Sequence, residues 1–153
     1  MKRMTIKTQI GWITAYEENN KISCIKFSKR KAKGHSNTIL LKNLKKNFQK
    51  YFSGRINCIK TKYKFNGNKI QKKVWNEIKG IEFGKTKSYG EIAKKYNLSP
   101  RHIGKICGQN KLPLIIPCHR VIKSDKTLGG FSGSGGINLK KRLLNFEGHK
   151  LQS

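Results

Sequence analysis

The chain has 153 residues, which is enough for one domain or two small ones. It carries 35 Lys and Arg residues against 7 Asp and Glu residues, a net charge of +28 that favours a polyanionic partner such as nucleic acid. No apolar run is long enough to predict a transmembrane helix, and the polar N-terminus lacks the apolar core of a signal peptide. These properties argue against a membrane protein and predict a cytoplasmic location.

The first half of the chain predicts a small sheet followed by a helix. Alternating segments predict a hairpin within residues 5–28, with a polar turn at 17–21. Apolar residues then recur at helical spacing and stop at Gly54. These residues are Leu41, Leu44, Phe48, Tyr51 and Phe52. Residues 55–68 predict a loop, and we place a domain boundary there, after residue 66.

The second half predicts a helix-turn-helix after a short amphipathic helix that ends at Gly80. Ser88 and Glu91 form a predicted capping box at the start of the first helix of this motif, and Ser99 is the predicted N-cap of the second. Arg101 lies in the first turn of the second helix, where exposed side chains can reach a DNA groove, although such an arginine can also be a simple surface charge. The inner stripe of this helix consists of Ile103, Ile106 and Cys107.

Residues 115–122, with the sequence Ile-Ile-Pro-Cys-His-Arg-Val-Ile, place Cys118 beside His119 between two apolar runs. A thiolate is the reactive form of cysteine, and an imidazole can take the thiol proton. Neighbouring side chains on an extended strand point to opposite faces, so cooperation requires a bridging water or a bent backbone after Pro117. The alternative is an inert packed thiol beside a surface histidine.

A Cys-His pair needs a third group to orient the imidazole, and the chain offers 7 acidic residues. Glu17 and Glu18 fall in the predicted turn, and Glu91 is used by its cap. Asp125 lies in a polar turn. Glu147, at the end of a predicted closing helix, is the best candidate, with a solvated helix end as its alternative role.

Two further patterns are weaker. A zinc site built from Cys24, His35 and Cys58 has spacing that common zinc modules do not use. The glycine-rich stretch 129–136 lacks the spacing of a nucleotide-binding loop. It is either a flexible loop or a segment whose unobstructed backbone amides approach a flat ligand.

Taken together, these motifs resemble a known family. Residues 116–121, with the sequence Ile-Pro-Cys-His-Arg-Val, resemble the active-site motif of the O6-alkylguanine-DNA alkyltransferases, or methylated-DNA–protein-cysteine methyltransferases. Other matching segments follow in the expected order: Ile10-Gly11, Tyr51-Phe52-Ser53-Gly54, Gln71 to Trp75, Ser88 to Ala93, Ser99-Pro100-Arg101, Asn110 and Glu147-Gly148. The resemblance extends over nearly the whole chain.

The predicted fold class is α/β, with a small N-terminal sheet-plus-helix domain before a mostly helical C-terminal domain that contains a winged helix-turn-helix. We assign residues 1–66 to the N-terminal, ribonuclease-H-like domain, whose role is structural. Residues 67–153 are the predicted DNA-binding and alkyl-transfer domain.

The resemblance also implies roles for individual residues. Cys118 is the alkyl acceptor. His119 is a base that acts through a water, and Glu147 holds its imidazole. Asn110 is the hinge between the recognition helix and the active-site strand. Tyr89 donates a proton or a hydrogen bond to the guanine.

By the same resemblance, Arg101 fills the gap left by a flipped nucleotide. The backbone near Val121 and Ser132 contacts the extruded base. The glycine-rich loop is longer than is usual in the family, so Ser134 is an alternative to Ser132. Lys111 stands where the family often has proline, which makes that turn less rigid.

The function implied is direct repair of double-stranded DNA by irreversible transfer of a methyl or larger alkyl group from O6 of guanine, or O4 of thymine, to the protein's own cysteine. Such a protein reacts once, acts as a monomer and needs no cofactor, because the lesion carries the alkyl group. Two alternatives remain: a non-catalytic winged-helix module that binds DNA or senses lesions, and a Cys-His hydrolase that turns over.

Overall fold

The computed structural model describes residues 1–129 and 136–149. The chain divides into two compact units, Met1–Asn66 and Gly67–Ser153. The predicted α/β class, with a small N-terminal sheet and a mostly helical second half, is confirmed, whereas the wing remains a prediction. Within the described part of the chain, no helix has the length and apolarity needed to cross a membrane.

The first unit contains a three-stranded antiparallel sheet in the order β1-β2-β3. Its strands are β1 (Lys2–Thr8), β2 (Gly11–Glu18) and β3 (Lys21–Ser28). The predicted hairpin corresponds to β2 and β3, but the prediction missed β1, which pairs with β2 along its whole length. The sequence pattern did not predict β1 because lysines and threonines surround its few apolar residues.

The predicted turn at residues 17–21 is too long. Glu17 and Glu18 belong to β2, and only Asn19 and Asn20 form the turn, with φ angles of 52° and 60°. Asparagine tolerates this left-handed conformation, which suits a two-residue hairpin. Glu17 is consequently buried, and its carboxylate accepts a hydrogen bond of 2.5 Å from the Thr38 hydroxyl.

Helix α1 (Ile39–Phe52) follows the sheet, as the apolar spacing predicts. Thr38 caps its first turn by accepting a hydrogen bond from the amide of Leu41. The chain leaves the helix at Gly54, whose φ of 80° is readily adopted only by glycine. The face that packs into the core consists of Leu41, Leu44, Phe48 and Tyr51.

The second unit is mostly helical. Its helices are α2 (Lys69–Lys79), α3 (Tyr89–Tyr96), α4 (Pro100–Gly108) and α5 (Gly136–Phe146). Two short parallel strands, β4 (Lys87–Ser88) and β5 (Val121–Ile122), connect the entry of α3 to the segment that follows the cysteine.

Local capping sets the geometry of α3 and α4. Ser88 accepts a hydrogen bond from the amide of Glu91, and Ser99 accepts one from the amide of His102. Asn97, at a φ of 55°, ends α3 and reverses the chain within a short turn. The two helices pack against each other, and the indole of Trp75 donates a hydrogen bond to a carbonyl of α4. This arrangement fixes the first turn of α4 at the surface.

Candidate active site around Cys118

A cavity of about 630 Å³ opens in the second unit, a volume typical of small-molecule sites. The residues that line it include Tyr89, Arg101, Cys107, Cys118, Lys123 and Gly129. Four of these come from α3, α4 and the cysteine segment, which are distant in sequence. The fold therefore gathers two thiols, a phenol and a guanidinium around one opening.

The cysteine segment is a turn where the sequence predicted a strand. Pro117 has φ −80° and ψ 66°, and residues Cys118–Arg120 form a single 3-10 turn closed by a hydrogen bond from the amide of Arg120 to the carbonyl of Pro117. Extended structure resumes only at Val121. The bend directs successive side chains to different neighbours, so Cys118 lines the cavity while His119 lies buried behind it.

Asn110 holds the sulfur of Cys118 in place. Its side-chain amide donates one hydrogen bond of 3.2 Å to Cys118 Sγ and another of 2.9 Å to the carbonyl of Ile116. Its carbonyl accepts from the amide of Leu112 at 2.8 Å. Asn110 thus ties the end of α4 to the cysteine turn, and it is placed to stabilise a developing thiolate.

Cys107, the second thiol of the cavity, changes the pKa of Cys118. The neighbouring thiol of Cys107, together with burial, raises the pKa of Cys118 well above its ordinary value. The Asn110 hydrogen bond and the charge of Lys140 lower the pKa of Cys118, but by less. Cys118 is therefore a neutral thiol at pH 7, and it needs a base to become a nucleophile.

A buried triad of His119, Arg120 and Glu147 lies behind the thiol. The guanidinium of Arg120 donates two hydrogen bonds to the Glu147 carboxylate, at 2.9 and 2.7 Å, and a third to the carbonyl of Ile81 at 2.7 Å. Nε2 of His119 lies 3.0 Å from Glu147 Oε2, in poor alignment for a hydrogen bond. Nδ1 of His119 has no hydrogen-bond partner among the described residues.

These contacts set the charge states of the triad. Burial raises the pKa of Glu147, but the hydrogen bonds from Arg120 and the proximity of His119 outweigh it and hold the value at about 2. Burial lowers the pKa of His119, and the neighbouring Glu147 offsets this only in part. At neutral pH, an ionised carboxylate therefore faces a neutral imidazole, whose proton is best placed on Nε2. The remaining nitrogen, Nδ1, is then a free base.

A buried lysine supports the phenol on the opposite wall. Nζ of Lys140, in α5, donates a hydrogen bond of 3.0 Å to the Tyr89 hydroxyl and another to the carbonyl of Val121. Burial lowers the pKa of Lys140 to about 8, so it remains mostly protonated at pH 7. Burial also raises the pKa of Tyr89, with the charges of Cys107 and Cys118 acting in the same direction. The phenol thus keeps its proton while its oxygen accepts from Lys140.

The other predicted residues fall at the cavity or beside it. Arg101 is exposed in the first turn of α4, as predicted, and it also lines the opening. Val121 is fully buried, and its carbonyl accepts the bond from Lys140. Ser132 and Ser134 lie outside the described residues. The described loop ends at Gly129, which packs so closely on Tyr89 that a β-carbon there would overlap the ring.

Sequence reasoning missed three participants. Arg120 belongs to the cysteine motif, but its partner Glu147 was not predicted. Cys107 was predicted only as a core residue of α4, whereas it lines the cavity. Lys140 lies three and four residues before Leu143 and Leu144, and this helical spacing marks it as buried. The spacing could have predicted a buried Lys140, but lysines are so frequent in this chain that one more is easily taken for a surface charge.

Known proteins resemble this chain in sequence. Residues 69–149 match the model of a family described as 6-O-methylguanine DNA methyltransferase, DNA-binding domain. The methylated-DNA–protein-cysteine methyltransferase of Methanocaldococcus vulcanius is 52% identical over 85 residues, which are 56% of this chain and 51% of that protein. The protein of that name from Archaeoglobus fulgidus is 39% identical over 104 residues, which are 65% of this chain and 70% of that protein. The chain thus spans about half the length of the first relative.

The fold also resembles that of a solved structure. The crystal structure of Mycobacterium tuberculosis OGT in complex with DNA is 27% identical in sequence and superposes with a TM-score of 0.83. The match covers 97% of this chain and 93% of that one.

Proposed function

The chain belongs to the 6-O-methylguanine DNA methyltransferase family, and from this premise we propose that it repairs DNA by moving a methyl or larger alkyl group from O6 of guanine to Cys118. The observation that carries the proposal is a thiol in a cavity of about 630 Å³, held by Asn110 and backed by the buried His119–Glu147 pair. Thymine alkylated at O4 is a second substrate of the same chemical kind.

His119 activates the nucleophile. Because Cys118 is a neutral thiol and His119 a neutral imidazole, the thiol proton passes to Nδ1 through a bridging water. Glu147 then stabilises the imidazolium, as the low pKa of its carboxyl allows. The amide of Asn110 donates to the thiolate as its charge develops.

Transfer is an in-line displacement on the alkyl carbon. A bond forms between Cys118 Sγ and that carbon while the bond from carbon to guanine O6 breaks, and its electron pair goes to the purine. The Tyr89 hydroxyl donates a hydrogen bond or a proton to the purine as negative charge builds there. Because Lys140 already donates to the Tyr89 oxygen, the phenol hydrogen is left to point at the substrate.

Access to the damaged base requires extrusion from the duplex, which costs a few kcal/mol. Arg101 is exposed on α4 and lines the cavity, which supports the proposed role in which it fills the gap in the base stack. Backbone groups near Val121 and Ser132, or Ser134, contact the extruded base. The net charge of +28 supports binding to the phosphate backbone of double-stranded DNA.

The product is a thioether, which water does not hydrolyse under physiological conditions, so each chain reacts once. No cofactor is required, since the lesion supplies the alkyl group. We assign alkyl transfer and DNA binding to residues 67–153 and a structural role to the ribonuclease-H-like residues 1–66. The protein acts as a cytoplasmic monomer, and its four free cysteines fit a reducing compartment.

The test is transfer of labelled methyl from DNA containing O6-methylguanine to the protein. We expect one methyl group per chain and no further reaction, with complete loss in Cys118→Ala. Multiple turnovers on an ester or amide would indicate a hydrolase instead. Tight binding of lesion DNA without any transfer by the wild-type protein would indicate a lesion sensor.

A further inference from the structure

The cavity contains a second thiol that the proposed reaction does not consume. Cys107, in the last turn of α4, lines the same opening as Cys118, and both side chains are more than nine-tenths buried. Each thiol shifts the pKa of the other, and neither forms a disulfide in this structure. Two neighbouring thiols that line one accessible cavity form a dithiol site.

We propose that Cys107 and Cys118 are a reversible modification site, at which hydroperoxides convert the dithiol into an intramolecular disulfide. A disulfide requires the two sulfur atoms to approach to about 2.05 Å, closer than two unbonded thiols lie. The chain between them leaves α4, passes through a loop and enters the cysteine turn, so neither sulfur is fixed by a shared rigid element. Small movements of this loop bring the sulfur atoms together.

The chemistry balances with a hydroperoxide as the oxidant. One thiolate attacks the peroxide, takes an oxygen atom to become a sulfenic acid and releases an alcohol or, from hydrogen peroxide, water. The second thiol then displaces water from the sulfenic sulfur and closes the disulfide. Two electrons and two thiol hydrogens leave the pair in total. A small dithiol reverses the reaction by exchange and returns both thiols.

The local electrostatics favour the first step. The neighbouring thiol of Cys118 lowers the pKa of Cys107, and the positive charge of Lys140 acts in the same direction. The pair therefore releases its first proton more readily than an isolated buried thiol, and the thiolate is the form that attacks a peroxide. The opening of the cavity gives a small peroxide access to it.

The consequence for repair rests on the proposed function. A disulfide removes the nucleophile, so the oxidised chain cannot accept an alkyl group. It also protects Cys118, because a sulfenic acid with no neighbouring thiol oxidises further to a sulfinic acid that thiols do not reduce. Cys107 would thus convert irreversible damage into a recoverable state.

The first experiment needs neither DNA nor a variant. The full chain is treated with hydrogen peroxide, its remaining thiols are blocked with iodoacetamide, and the protein is digested with trypsin without reduction. Trypsin separates Cys107 and Cys118 into residues 106–111 and 112–120. We expect these two peptides to be linked, with the mass of two hydrogen atoms lost, and to separate after treatment with dithiothreitol.

Variants sharpen the test. After peroxide and then dithiothreitol, wild-type protein and the Cys58→Ser control should recover most of their methyl transfer. Cys107→Ser, compared with its own untreated sample, should retain a loss of about tenfold or more, because its Cys118 passes to the sulfinic acid. Transfer by untreated wild-type protein reports on the proposed function separately.

Two results would overturn the proposal. One is a peroxide-treated wild-type protein in which Cys118 gains oxygen while Cys107 remains free to react with iodoacetamide. The other is equal recovery of transfer in Cys107→Ser and wild-type protein after dithiothreitol.

Discussion

Each unit of the molecule contains a cavity, and the two cavities differ in their chemistry more than in their size. The cavity of residues 1–66 has a volume of about 820 Å³ and is lined by lysines, asparagines and threonines, with no cysteine or histidine among its described lining residues. The cavity of the second unit is smaller, about 630 Å³, but it holds Cys107, Cys118 and Tyr89. The larger cavity is therefore not the one that contains the reactive side chains.

The buried carboxylates of the two units show the same contrast. Glu17 accepts from the neutral hydroxyl of Thr38. Glu147 accepts from the guanidinium of Arg120 and faces His119. A buried charge that is paired with a cation and directed at an imidazole is costly to assemble and indicates a reaction centre. Function should therefore depend on the network around Glu147 and not on the polar cavity of the first unit.

The largest effect is expected from Arg120→Leu. This change leaves the Glu147 carboxylate buried without its cation, and we expect a loss of about 3–5 kcal/mol in the free energy of unfolding. Urea denaturation measures it. Lys85→Ala is the control, since it breaks an ion pair with Glu82 in which both side chains are exposed, and it should have only a small effect. Equal losses of unfolding free energy in the two variants would show that the buried Arg120–Glu147 pair contributes no more to stability than a surface pair.

Stability should fall at acid pH because of Glu147. Its pKa is depressed from 4.5 to about 2 in the folded protein, so the stabilisation is complete above pH 4.5 and disappears as the pH falls toward 2. The expected contribution at neutral pH is about 3 kcal/mol. Glu147→Gln should reduce the slope of this part of the pH profile of thermal unfolding, to which Glu77, whose pKa is also lowered to about 2, still contributes. Glu18→Gln, an exposed change in the first unit, should retain the full slope. A wild-type slope in Glu147→Gln would refute the assignment.

His119→Gln should slow methyl transfer by about 10²-fold, because glutamine cannot take the thiol proton. Affinity for lesion DNA should remain nearly unchanged, as the imidazole is buried and does not face the duplex. Single-turnover kinetics and a binding titration separate the two quantities. His35→Gln, an exposed histidine of the first unit, is the matched control. Unchanged transfer in His119→Gln would remove the imidazole from the mechanism.

The smallest effect is expected from Arg101→Ala. Repair in a duplex should fall by about tenfold, because the gap left by the extruded base is no longer filled. Reaction with a free-base analogue should change less, since no duplex needs to be opened. The ratio of the two rates is the readout, and Lys50→Ala, at the cavity of the first unit, should leave that ratio unchanged. Equal losses on both substrates would contradict the role of Arg101.

Much of the fold was predictable because it depends on local rules. Helical spacing predicted α1 and α5, and the caps at Ser88 and Ser99 were predicted from residue type and position. The first strand and the 3-10 turn at Cys118 were not, since β1 depends on pairing with β2 and the turn depends on Pro117 and its hydrogen bonds.

The candidate site also contains residues that the sequence predicts and residues that only the structure reveals. The grouping of Cys118, His119 and Glu147 was predicted from motif and elimination, and the structure brings these residues together. The roles proposed for Arg120, Lys140 and Cys107 depend on partners that are distant in sequence. Lys140, for example, meets Tyr89 across 51 positions of the chain. Sequence periodicity indicates that such a side chain is buried but does not indicate its partner.

The most direct test of the central claim is the identity of the alkylated residue. After reaction with DNA that carries O6-methylguanine, tryptic peptides of the full chain are analysed by mass spectrometry. We predict a single added methyl group on residues 112–120, at Cys118, with residues 106–111 unmodified. Methylation at any other residue, or an unmodified protein after complete repair of the DNA, would contradict the account.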